Sequence, residues 1–128
     1  MTTSKATLSN FRQSPRKMRG VAGLVRGKKV SDALVHLDFV AKKASLPIKN
    51  LIVSAVANAK SMDIDTENLV VKTITVDAGK TLKRSMPASR GSAHPIHKRT
   101  SHITVELAQP VESSKLQVIK TGKNKNKK

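Results

Sequence analysis

Three histidines, His94, His97 and His102, fall within nine residues. Clustered imidazoles are the commonest start of a zinc site, but zinc asks for four ligands, usually with Cys or a carboxylate among them. No acid lies between Lys80 and Ile103, and the chain has no Cys. The imidazoles read instead as exposed or partner-facing. Gly79-Lys80-Thr81 imitates the end of a phosphate-binding loop, but that pattern needs glycine where Ile74 stands and a helix afterwards. Gly20-Val21-Ala22-Gly23 imitates a backbone clamp of single-strand RNA modules. It lies inside a predicted helix, where helix–helix packing is the expected use. Asp63, Asp65 and Glu67 lack the glycine and later glutamate of a calcium loop and read as a solvated turn. No acid–base pair or nucleophile constellation has supporting context, so no enzyme is expected, and no metal or cofactor.

The one chemistry the residue types favour is binding of a polyanion. The chain has 128 residues, 25 Lys plus Arg, 8 Asp plus Glu, and a formal charge of +17. That surplus exceeds what solubility requires. It is also segregated. Residues 1–29 carry eight basic residues and no acid, 30–77 five basic and six acidic, and 78–103 six basic and no acid. A near-neutral core with basic arms follows. Phe11 and Phe39 are the only aromatic residues, so base stacking on aromatic platforms is an unlikely mode, and recognition should rest on phosphates and shape.

The elements that must position these charges read as one domain. Residues 3–11 predict an extended segment. Ser14-Pro15 predicts a helix start, with Ser as N-cap, and Met18, Val21, Ala22 and Val25 form one apolar face that ends at Gly27. Ser31 is expected to cap a helix over Asp32 to about Phe39, with Val30 and Val35 as a hydrophobic staple. The longest helix spans about Lys42 to Ser61, kinked at Pro47 or beginning nearer Ser45. Its stripe is Ala44, Ile48, Leu51, Ile52, Ala55, Val56, Ala59 and Met62. From Leu69 the period becomes two, with Leu69, Val71, Thr73 and Thr75 on one face of a strand. A second strand is expected at about Lys98 to Leu107. Between them DAGKTLKRSMPASRGSAHPIHKR is basic, nearly free of large apolar residues and too long for a tight turn. An extended β-arm with a tip near Pro87 to Pro95 satisfies this, given a partner to support it. Residues 108–128 read as a basic, flexible tail, with KLQVIK (115–120) as a short strand. No apolar run reaches the roughly 20 residues of a membrane span, and MTTSKATLSNF lacks a signal-peptide core.

LKRSMPASRGSAHPIHKRTSHITVEL (82–107), SPRKMRGVAGLVRGKKVSDAL (14–34) and VSAVANAKSMDIDTENLVV (53–71) together resemble the universal large-subunit ribosomal protein family called L-twenty-two, in the family's order over about residues 5–107. The resemblance implies an α+β fold: three helices packed on a small antiparallel sheet with a long β-hairpin extension. Residues 1–107 would be a single domain, a globular body plus an arm at about 78–103. It implies a structural constituent of the large subunit, in a cytoplasmic ribosome, that binds large-subunit rRNA, aids assembly and lines the nascent-peptide exit tunnel with its hairpin tip. Implied partners are that rRNA, neighbouring large-subunit proteins near the exit and, transiently, the nascent peptide, with no membrane and no homo-oligomer. The implied RNA contacts are Lys5, Arg12, Arg16, Lys17, Arg19, Lys28 and Lys29 on the body and Lys83, Arg84, Lys98, Arg99, Thr100, Ser101 and His102 along the arm. The implied tip is Met86, Pro87, Ala88, Ser89, Arg90 and Gly91, with Arg84 and Arg90 as tunnel-facing cations. The chain departs from the family pattern at Ala88, Ser92 and Pro95, where members commonly carry basic residues. A generic architectural nucleic-acid-binding protein is the alternative. It would more naturally show a dimer surface or a groove-reading helix.

Overall fold

The computed structural model describes residues 3–109. In chain order it contains β1 (Thr3–Phe11), α1 (Pro15–Val25), α2 (Val30–Phe39), α3 (Ser45–Ser61), β2 (Val70–Ala78), β3 (Leu82–Pro87), β4 (Ala93–Lys98) and β5 (Ser101–Ala108). β1, β5 and β2 form an antiparallel sheet in that order, and β3 and β4 form a separate two-stranded ribbon. The helices cover one face of the larger sheet. The class is α+β, as the resemblance implies. The tail and the strand expected at 115–120 lie outside the described residues.

The apolar face of α1 is as the spacing predicts: Met18, Val21, Ala22 and Val25 are buried. Ser14 takes the N-cap position in extended backbone but makes no side-chain cap bond. Gly27 ends the helix at φ +76°, a left-handed conformation that glycine adopts without a Cβ penalty. Gly20 and Gly23 do not pack against another helix. A Cβ added at either would meet nothing within 4 Å, so their helix-weakening effect serves no contact within the described residues.

The start of α2 corrects the capping expectation. The helix begins at Val30 with Lys29 at its N-cap, and Val35 is 55% exposed, so there is no staple and Ser31 is inside the first turn. Strand-like bonding fixes the entry instead. Gly27 N donates to Val71 O, Val71 N to Lys28 O and Val30 N to Leu69 O, each at 2.9 Å. α3 begins at Ser45, which places Pro47 in the first turn, where backbone N–H groups lack helical partners anyway. Ile48, Leu51, Ile52, Ala55 and Ala59 are buried, whereas Met62 at the end of the predicted stripe is exposed. Small Ala55 lets β1 approach so closely that Ser4 Oγ donates to its carbonyl oxygen.

β2 corrects the face assignment. Val71 pairs with Leu107 and Thr73 with Glu106, so Lys72 is an extra residue, a β-bulge. The bulge shifts the parity: Leu69 and Val71 point inward before it, Ile74 and Val76 after it. Thr73 and Thr75 therefore face away from the core. On that outer face Thr104 of β5 lies between Thr7 of β1 and Thr75 of β2. Ile103, Val105 and Leu107 are fully buried on the inner face. The single strand expected from Lys98 is two strands, broken at Arg99-Thr100, because the ribbon leaves the sheet there.

Candidate nucleic-acid interface

The ribbon is a hairpin with an unbroken register from Leu82 against Lys98 to Pro87 against Ala93. Pro95 sits opposite Ser85 without shifting that register. In a two-stranded ribbon each strand has a free edge, so a missing N–H is tolerated. None of residues 82–98 is buried, and an isolated two-stranded hairpin is marginal in water. The arm contributes cations to the surface and nothing to the core.

The tip is narrower than the sequence reading set it. A single turn closes it through Ala88 N to Ser92 O at 2.9 Å, and Ser92 Oγ donates to Ser89 O at 2.8 Å. Arg90 holds φ +57°, a conformation costing a non-glycine residue about 1–2 kcal/mol. The strained position thus presents a cation at the extremity. Met86, Ser89, Arg90 and Gly91 are exposed around it.

The root of the arm is a packed joint. Gly79 N donates to Thr100 O at 2.9 Å, and Thr100 Oγ1 donates to Lys80 O at 2.7 Å. A Cβ at Gly79 would collide with Thr100 Oγ1 and come within 3.0 Å of His102 Nε2. Thr100 and Ser101 are buried. His102 is half-buried, and its Nδ1 accepts a bond from Asn10 N at 3.1 Å. Thr100 and His102, expected to touch RNA, help to fix where the arm leaves the body, and Ser101 Oγ is buried with no hydrogen-bond partner.

Arg19 also turns inward in part. Its Nε and Nη2 donate to Val76 O at 3.2 and 3.0 Å, and Arg26 Nη2 donates to Ile74 O at 2.9 Å. Both carbonyls lie on the free edge of β2. The two guanidiniums therefore cap a sheet edge that would otherwise expose unpaired acceptors. Lys5 lies on the outer face of the sheet, 3.8 Å from Glu106. Arg16 and Lys29 are exposed and Lys28 is half-buried.

The remaining cations converge. Between the start of α1 and the root of the arm is an open cleft of about 750 Å³ whose lining includes Arg12, Lys17, Lys43, Arg84, Lys98 and Arg99, with no carboxylate. The sequence reading missed Lys43. It sits in the near-neutral middle of the chain, where averaging over 48 residues hides a local Lys42-Lys43 pair. The cleft also brings together Arg12 and Lys17 with Arg84, Lys98 and Arg99, which are 67 to 87 residues away in sequence. No group of histidines and carboxylates among the described residues could hold a metal ion, and no helix there is long and apolar enough to cross a membrane.

Comparison with known proteins agrees with this architecture. Residues 6–108 match the sequence profile of the family described as ribosomal protein L22p/L17e. The chain is 50% identical over 113 residues to the large ribosomal subunit protein uL22 of Desulfitobacterium hafniense (strain DSM 10664 / DCB-2), covering 88% of this chain and 99% of that protein. It is 54% identical over 103 residues to its counterpart in Herpetosiphon aurantiacus, covering 80% and 91%. With Pediococcus pentosaceus the identity is 44% over 113 residues, covering 88% and 96%. A match over the whole described body and arm, at this identity, leaves one conclusion: the chain belongs to the ribosomal protein L22p/L17e family, structural components of the large ribosomal subunit rather than enzymes.

Proposed function

We propose that this chain is held in the large subunit by binding its ribosomal RNA, body against the RNA surface and arm inserted between RNA helices, with the tip lining the nascent-peptide exit tunnel. The observation that carries the reading is the arm. Residues 82–98 bury nothing, include no acid and carry Lys83, Arg84, Arg90 and Lys98. Such a ribbon gains order only from an anionic partner that surrounds it. Arg12, Arg16, Lys17, Lys28 and Lys29 neutralise phosphates from the body, and Lys83, Arg84, Lys98 and Arg99 do so along the arm. Lys5, Arg19, Thr100, Ser101 and His102 complete the proposed contact set, and Arg19, Thr100 and His102 also bond within the fold. Neighbouring proteins near the exit, and transiently the nascent peptide, complete the surroundings.

The absence of Cys gives a clean test. A Ser89→Cys variant carrying a tethered iron chelate, assembled into large subunits, should cleave rRNA at the tunnel wall. Cleavage confined to the outer surface would sink the tunnel reading while leaving RNA binding intact.

A further inference from the structure

The cleft in the angle between body and arm has a shape and charge that the general reading does not use. Its body wall holds Arg12, Lys17 and Lys43, and its arm wall holds Arg84, Lys98 and Arg99. Cations on two facing walls repel one another at no gain to the free protein, and no carboxylate among the described lining residues relieves them. The volume, about 750 Å³, lies within the range of ordinary ligand pockets. It suits a short stretch of one strand and not a whole duplex.

We propose that this cleft is a clamp for a single RNA backbone strand, gripped from both sides by the six cations, with Lys43 as a contact residue. Resting on the RNA-binding reading above, the clamp adds a consequence: one strand bridges body and arm, so RNA binding fixes the angle between them. Generic surface attraction has no such geometric requirement.

The test uses the full chain and a large-subunit rRNA transcript, with affinity measured across a salt series. Each phosphate contact contributes about 0.7–0.9 to the slope of log affinity against log salt. Lys43→Gln should weaken binding several-fold and flatten the slope by about that amount. Lys60→Gln, on an exposed residue near the other end of α3, should change neither. Arm order, read by amide exchange in the RNA complex, should fall in Lys43→Gln although Lys43 is not in the arm. If Lys43→Gln binds like the wild type, or if Lys60→Gln loses as much, the clamp is overturned and diffuse attraction remains. If the wild-type protein shows no saturable rRNA binding, the functional reading itself fails.

Discussion

At the scale of single residues, composition does not reveal what each cation is for. Arg19 and Arg26 look in sequence like any other members of a basic run. In the fold their guanidiniums end on the carbonyls of Val76 and Ile74. Arg19→Gln should therefore lower stability by about 1 kcal/mol, the usual net contribution of an intramolecular hydrogen bond, as read by chemical denaturation. An unchanged melt would return Arg19 to the list of pure RNA contacts. Gly79 gives a second prediction. Ala at this position forces Thr100 aside, and overpacking of this kind costs about 1–3 kcal/mol. Gly20→Ala, with open space around it, should instead stabilise the free protein by about 0.5–1 kcal/mol. These roles were illegible beforehand because they depend on contacts across about 50 residues or a joint made only after pairing.

Among the elements, the helices were the most legible. A 3.6-residue period with Pro15 in front and Gly27 behind is local information, and α1 follows it from Pro15 to Val25. The cap of α2 was not legible, because strand bonding to residues 69–71, not Ser31, fixes where that helix starts. The face of β2 was misread for a reason visible in the sequence. The large apolar residues change parity between Val71 and Ile74, which is the mark of a bulge, and a strict alternation ignores it. Deleting Lys72 should remove the bulge and leave Leu69, Val71, Ile74 and Val76 at a regular spacing of two on the inner face. The expected result is a cooperative unfolding transition retained on deletion, as with Lys72→Ala, and its loss on deletion would show that the bulge itself is needed. The arm makes a separate prediction. Because residues 82–98 bury no side chain in the body, replacing them with a short turn should move the melting temperature by only a few degrees. Amides of 83–97 should exchange quickly without RNA and slowly with it. Slow exchange in the free protein would mean the ribbon is ordered by itself.

For the whole molecule, the division of labour was legible because charge segregates along the chain in the order that the fold separates it. The near-neutral middle supplies α2, α3 and β2, and the basic flanks supply α1 and the arm. What the chain order concealed is convergence. Arg12 and Lys17 meet Arg84, Lys98 and Arg99 only because β1 and β5 are neighbours in the sheet, which brings the entry of α1 beside the root of the arm. The outcome is a small body that anchors the root of a cationic ribbon by packed contacts at Gly79, Thr100 and His102. The central claim is that this molecule is a built-in part of the large subunit and not a loose polyanion binder. The most direct measurement is co-sedimentation of the tagged chain with ribosomal particles, at physiological and then at high salt. The account predicts one copy per large subunit, retained at high salt, because an enclosed arm is shielded from screening. Release from the particles at high salt, or sedimentation with DNA, would contradict it.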